Sequence, residues 1–462
     1  MGYYFSRTSK EVPQIRTKHR EIKTPIPCPG SEAVWAQLEQ FESRSMQGQL
    51  PLVWDRAQGF NIYDKAGNKW IDFTSTIFVV NVGHANPRVI TAIRQVLERP
   101  LLHTYAYAHE LRATYLKKLV EFCDGDFEKA FLLSAGTEAT EAALKLMRMY
   151  GQKKNKRRPG IICIEGNWHG RTTGAQMMSS NPDQKAWIGY HDADIHHISF
   201  PYPWVLNDCS GEDFLAEEIY KLERKGIDLR RDICGFMLET FQGWGAVFYP
   251  SDFIQNIEAL CRKNDILLTF DEMQAGFART GTKFGYQHYK VKPDLICCGK
   301  GMGGGLALSG VLGRREIMDL PDVGNMSSTH SANPMACAAG IATIDEIKET
   351  NLVAEAARKG KLLHAGLNAI QKKYNDVVSM VLGKGMIAAV LFKNPHDGSP
   401  NAALATKIAE RCLYKGLLVV HTGRESIKIA PPLVITDEAL AEGLVVIEEV
   451  FEEILLEAAK GV

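Results

Sequence analysis

Net charge is the first thing missing from this chain. Its 462 residues carry 54 Lys plus Arg and 54 Asp plus Glu, so no overall field draws a polyanion or an acidic membrane to the surface. A basic-tailed nucleic-acid binder is disfavoured. No stretch approaches the roughly 20 continuous apolar residues that cross a bilayer, which argues for a soluble chain with no membrane partner. Cysteine is thin as well: ten in 462 residues, with Cys297 and Cys298 adjacent, give neither disulfide-scaffold density nor a CxxC zinc pattern. Reduced, buried thiols in a cytoplasmic protein are the better reading. Repeats and low-complexity segments are also lacking, and the run Lys153-Lys154-Asn155-Lys156-Arg157-Arg158 reads as a solvated loop.

What is present is a globular balance, 45% apolar and 23% charged with 40 Gly and 19 Pro. The length sets a prior of about three domains or two large ones. Met1-Gly2-Tyr3-Tyr4-Phe5-Ser6 formally fits a myristoylation pattern, one short enough to match by chance. Residues 7–23 are polar and basic, contain Glu11 and Glu21, and lack an apolar core, which makes them an extended arm rather than a secretory signal. Short runs broken by turn residues between Gly59 and Phe73 predict a small antiparallel sheet. From His84 onward the texture changes to unbroken apolar runs separated by helical segments. Ile161–Ile164, Cys234–Leu238, Ile266–Phe270 and Leu295–Cys298 suit strands buried on both faces of a parallel sheet. From about Pro334 helices and short strands alternate again. The expected division is 1–83 as arm and part of a small domain, 84–333 as the large domain, and 334–462 as the rest of the small α+β domain.

Four segments carry candidate chemistry. Asp271-Glu272 and Gly299-Lys300-Gly301 each follow a buried strand, where open α/β sheets bind their ligands. An ATPase also ends a strand in acids, but no G-x-x-x-x-G-K-[ST] occurs to cradle its phosphates. Ser134-Ala135-Gly136-Thr137-Glu138 opens a helix with small residues, so an anion site and a plain helix cap fit it about equally. Asn167-Trp168-His169-Gly170-Arg171 offers an aromatic to stack and an arginine to hold a carboxylate. Taken alone, that last segment reads rather as a core Trp and a surface ion pair. The 13 histidines form no ligand cluster: His84 reads as structural, and His196-His197 on a strand point to opposite faces, so no metal is expected.

Together these parts are those needed to hold pyridoxal 5'-phosphate: an amine, an acid, a phosphate cup and a ring platform. The sequence resembles the class III, ω-type aminotransferases of the fold-type-I pyridoxal-phosphate enzymes from about Ile62 to the terminal helix. The most specific part is Phe270-Asp271-Glu272-Met273-Gln274-Ala275-Gly276-Phe277-Ala278-Arg279-Thr280-Gly281, with Lys300 29 positions after Asp271. The resemblance implies an α/β fold with a large domain, its mostly parallel central sheet sandwiched by helices, and a smaller α+β domain from both chain ends. It further implies that Lys300 forms the Schiff base and carries the proton, and that Asp271 pairs with the pyridinium nitrogen. Met273 and Trp168 would flank the ring, Gln274 would reach its hydroxyl, and Gly136 and Thr137 would hold the phosphate. Thr329, in Ser328-Thr329-His330-Ser331-Ala332-Asn333-Pro334, would join them from the other subunit of a homodimer or a higher oligomer. Glu239 matches the first acid of the family's E-P-V-Q-G-E-G-G segment, with Gln242 and Gly243 also in place.

For substrates, an amino donor and a keto acid, the departures matter. Arg171 occupies the position that holds the distal carboxylate of glutamate or 2-oxoglutarate in relatives that use them, and many pyruvate-using relatives lack it. The family's switch glutamate is replaced by Trp244, and the arginine it releases is Lys428, so the usual dual-specificity device cannot work in its usual form. Arg424 lies nearby in sequence, and Ile77 is counted as a further pocket residue. The expectation is a cytoplasmic aminotransferase working between glutamate and a primary amine or ω-amino compound. The alternatives are a racemase or aminomutase on the same scaffold, or a pyruvate-using amine transaminase.

Overall fold

The computed structural model describes residues 5–206 and 208–459; the first four residues of the formal myristoylation pattern lie outside them. The chain divides into two units. The larger spans Pro87 to Val353 except for Trp244–Ala246, and the smaller takes those three residues together with both ends of the chain.

The unbroken apolar runs form the larger unit's sheet. Its strands are β1 Lys129–Leu133, β2 Gly160–Ile164, β3 Ile195–Ile198, β4 Ile233–Glu239, β5 Leu267–Asp271, β6 Leu295–Cys298 and β7 Ser309–Gly313. In space they run β1-β7-β6-β5-β4-β2-β3. The pairs from β6 through β3 are parallel, and β7 lies antiparallel to both its neighbours. Strands β2, β4, β5, β6 and β7 are buried at every residue, which is why their sequences show no polar alternation. The register sets Asp271 opposite Glu239 on one side and Cys297 on the other. The carboxyl ends of β4, β5 and β6 therefore share one edge.

Helices α1 Pro87–Glu98, α2 Glu110–Phe122, α3 Gly136–Lys153 and α4 Pro334–Glu349 accompany the sheet. Ala139, Ala143, Leu146 and Met147 of α3 join Ile161, Met237, Leu267, Leu295 and Val311 in one core. The approach is close enough that a Cβ on Gly235 would stand 2.3 Å from Met147 Sδ. Helix α4 packs on α1 and α2, so the larger unit extends to Val353 rather than stopping at the expected residue 333. The buried Ala336, Ala339 and Ala342 account for this, because small side chains let α4 seat between two helices.

In the smaller unit the arm contributes two short strands, Ile15–Arg16 and Glu21–Ile22. They extend an antiparallel sheet of Lys69–Asp72, Asn61–Tyr63 and Arg56–Gln58. Leu417–Leu418 adds in parallel to Lys69–Asp72, joining the two ends of the chain. Trp70 is buried there, with its indole N–H donating to the Leu413 carbonyl at 2.8 Å. A second antiparallel sheet combines Val378–Lys384, Ile387–Phe392, Ser426–Ile429 and Val420–His421. No described helix is long and apolar enough to cross a membrane.

Candidate active site

The shared edge of β4, β5 and β6 gathers the polar groups. Asp271 ends β5 and is 5% exposed. Its Oδ1 accepts from the Met273 N–H at 3.0 Å, and its Oδ2 meets His169 Nδ1 at 2.9 Å. His169 is itself fixed: its N–H donates to Ser179 Oγ at 2.9 Å, and its carbonyl accepts from Thr140 Oγ1 at 2.8 Å. The carboxylate therefore has one orientation, set by a backbone turn on one oxygen and an imidazole on the other.

Glu239 ends β4 and is buried. Its carboxylate accepts from the Trp168 N–H at 2.9 Å, the Gly243 N–H at 3.3 Å and Gln274 Nε2 at 3.5 Å. Burial, with the Asp271 carboxylate adding to it, pushes the Glu239 pKa up to about 7 against the pull of His169 and the two N–H groups. A Cβ on Gly243 would stand 2.4 Å from Gln274 Nε2, so a larger residue there would displace that side chain.

Lys300 follows β6 by one residue and opens a single 3₁₀ turn at φ +43°, a conformation costly for a side chain with a Cβ. The residue keeps some exposed surface, yet its amine lies deep enough that burial lowers its pKa. The carboxylates of Asp271 and Glu239 oppose that shift. Such an amine carries a larger neutral fraction than a surface lysine and is a better nucleophile.

Helix α3 supplies the anion-binding end. Glu138 turns back to accept from the N–H groups of Ser134 and Ala135 at 2.9 and 2.8 Å. Among the described residues no acceptor meets the N–H groups of Gly136 and Thr137, which begin the helix and carry its positive end. Thr137 Oγ1 pairs with Thr172 Oγ1 at 2.6 Å. Gly136 is hemmed in by Met273, whose Sδ would stand 2.8 Å from a Cβ there. Beside this end the half-buried Trp168 carries the Arg171 guanidinium 4.7 Å from its ring centroid.

A buried amine, a fixed acid, an open helix start and an aromatic with an arginine are thus assembled on one unit. The family model for class-III aminotransferases matches residues 43–451. The chain belongs to the class-III aminotransferases. It is 34% identical to the ornithine aminotransferase of Saccharomyces cerevisiae over 86% of this chain and 92% of that protein. It is 33% identical to the 4-aminobutyrate aminotransferase of Mycobacterium leprae over 93% and 98%. Among solved structures, the thermostable (S)-enantioselective ω-transaminase of Thermomicrobium roseum superposes with a TM-score of 0.83 at 26% identity, covering 92% of this chain and 99% of that one. As a class-III aminotransferase the protein is a pyridoxal-phosphate-dependent enzyme that transfers amino groups.

Of the residues singled out from sequence, Lys300, Asp271, Glu239, Gln274, Met273, Trp168, Gly136, Thr137 and Arg171 all stand on the larger unit of this aminotransferase. Thr329 is on it too, exposed, with its carbonyl accepting from His103 Nε2 at 2.8 Å. Trp244, Lys428 and Ile77 belong to the smaller unit. There Ile77 is 42% exposed at φ +61°, and Lys428 is 5% exposed with its Nζ 4.3 Å from the Phe78 ring centroid. His169 is the residue whose role sequence reasoning missed. Its only signal was its place between Trp168 and Gly170, which does not reveal a contact with a residue 102 positions away.

Proposed function

We propose that this aminotransferase binds pyridoxal 5'-phosphate along the carboxyl ends of β4, β5 and β6, and that glutamate and 2-oxoglutarate form one of its substrate pairs. The other partner is a primary amine or ω-amino compound. The observation that carries the reading is the register, which sets Glu239, Asp271 and the start of the Lys300 turn on three adjacent parallel strands. The residues present suit the cofactor. The two N–H groups of Gly136 and Thr137 and the Thr137 hydroxyl suit a phosphate dianion, and Met273 leaves no space for a side chain at Gly136. Asp271, held by two donors, suits a ring N–H.

When bound, pyridoxal phosphate supplies the electron sink that makes the C–H bond beside the substrate nitrogen acidic. The chain's own part is positional and protonic. Lys300 would hold the cofactor through its amine and would carry the proton at the substrate carbon. Asp271 would keep a proton on the cofactor's ring nitrogen, and His169 holds the Asp271 carboxylate in place through its Nδ1. Trp168 and Met273 would keep water from the bound cofactor. Arg171 receives the distal carboxylate of 2-oxoglutarate through its planar fork. Relatives named for ornithine and 4-aminobutyrate, amines at the end of a carbon chain, support the ω-amino side of the reading. The enzyme works as a homodimer in which Thr329 completes the phosphate site of the partner subunit. It works in the cytoplasm, where its ten unpaired thiols stay reduced.

Arg171→Ala tests the substrate assignment. The KM for 2-oxoglutarate should rise about tenfold or more, while the half-reaction with a carboxylate-free amine stays within about twofold. Pyruvate as the better acceptor in the wild type, or an unchanged KM in the variant, would contradict it.

A further inference from the structure

Thr172 stands immediately before a short helix, Thr173–Met178, where a threonine side chain ordinarily accepts from the second or third N–H of the helix it opens. Its hydroxyl makes no such bond. The N–H groups concerned, of Gly174 and Ala175, donate instead to Glu141 Oε1 at 2.8 and 3.0 Å. Glu141 lies on α3, one turn beyond Thr137. A Cβ on Gly174 would stand 2.4 Å from Glu141 Oε2, so a larger residue there would displace this carboxylate. With the cap supplied from α3, the Thr172 hydroxyl is left for another use. It lies 2.6 Å from Thr137 Oγ1, and the Thr172 N–H donates to that same oxygen at 3.3 Å. Gly170, at φ +139°, lets the two segments come this close: a Cβ there would stand 2.2 Å from Thr137 Oγ1 and 3.0 Å from the Thr137 Cα.

We infer that Thr172 is a positioning residue of the cofactor's phosphate site, whose hydroxyl donates to Thr137 Oγ1 and so turns the Thr137 proton toward the phosphate. The inference rests on the proposed cofactor reading and deepens it. A threonine hydroxyl has one proton and two lone pairs. With the N–H and the O–H of Thr172 both donating to Thr137 Oγ1, those lone pairs are filled, and the Thr137 proton is directed to a third group. A phosphate dianion at the helix start only accepts, and it is that group. The reverse arrangement, with Thr137 donating to Thr172, would set a lone pair against the dianion. Glu141 belongs to the same device, because by capping the short helix it frees Thr172 for this bond.

The test measures binding rather than turnover. Pyridoxal 5'-phosphate and pyridoxal, which lacks the phosphate, are titrated into the full chain freed of cofactor, and dissociation constants are read from absorbance. Thr172→Val keeps the shape and removes the hydroxyl; it should weaken pyridoxal phosphate about fivefold and leave pyridoxal within about twofold, because only the phosphate meets the Thr137 proton. Thr172→Ser should restore the wild-type value. In a Thr137→Val background Thr172→Val should have no further effect, since its route through the Thr137 oxygen is gone. A merely structural role for Thr172 would weaken both ligands together and would persist in that background. Equal losses for the two ligands, additive losses in the double variant, or unchanged pyridoxal phosphate affinity in Thr172→Val would overturn the inference and leave the cofactor reading intact. Wild-type protein that holds pyridoxal as tightly as pyridoxal phosphate would remove the phosphate site itself, and the inference with it.

Discussion

At the scale of single residues, the account turns on which buried groups hold protons. Glu239 has a pKa of about 7 against an ordinary 4.5. Between those values it is neutral in the folded chain and ionised in the unfolded one, so folding takes up a proton. Stability therefore falls as pH rises through that window, by at most about 3 kcal/mol, and levels off above it. Glu239→Gln, which keeps an acceptor for the Trp168 N–H, should flatten this part of the profile. The check is the melting temperature of cofactor-free protein from pH 4.5 to 8, and an unchanged slope in the variant would count against the burial argument. His169→Asn tests positioning: with the bond to Asp271 lost, kcat should fall about ten- to a hundredfold, since a hydrogen bond to a charged group contributes about 1.5–3 kcal/mol. The absorbance of the bound cofactor should shift with it, because the ring nitrogen feels the altered carboxylate. The residues proposed to carry the chemistry could be singled out in the sequence because Asp271 and Glu239 end apolar runs, Lys300 follows one and Gly136 opens a helix. Their partners could not: the His169–Asp271 and Arg424–Trp244 contacts join segments 102 and 180 positions apart, and no local period encodes them.

At the scale of elements, hydrophobic texture fixed most strands within a residue or two, since a strand buried on both faces has no polar position to interrupt it. Strand β7 escaped notice. Ser309-Gly310-Val311-Leu312-Gly313 has only two large apolar residues, and its burial comes from lying between β6 and β1. The turn Ser75–Phe78 was equally hidden: four successive non-glycine residues take φ from +48° to +71°, each an unfavourable choice for an L-residue. The bonds from Ser75 Oγ to the Ala430 carbonyl at 2.6 Å and from the Val79 N–H to the Ser75 carbonyl at 2.8 Å hold it in place. It displays Ile77 to solvent rather than burying it. The contact between α3 and β4 gives a sharper forecast. Gly235→Ala sets a methyl 2.3 Å from Met147 Sδ, an overpacking that should cost about 1–3 kcal/mol in denaturant unfolding. A variant as stable as the wild type would show that the helix yields more easily than this packing implies.

At the scale of the whole molecule, the two-unit plan was legible because texture changes at both ends of the central sheet. The boundary near Pro334 was not, because a helix rich in alanine reads alike whichever unit it joins. The proposed homodimer ties cofactor affinity to association through Thr329: dilution to monomers should loosen the cofactor, and Thr329→Val should do so about tenfold without dilution. Full affinity in a demonstrably monomeric preparation would contradict that role. The central claim, that one buried lysine past β6 carries the cofactor, has the most direct test of all. Holoenzyme reduced with borohydride and digested should yield a phosphopyridoxyl group on the peptide containing Lys300, and Lys300→Ala, still folded by its melting curve, should yield none. A modified peptide from any other lysine, or a reducible adduct that persists in Lys300→Ala, would contradict the account.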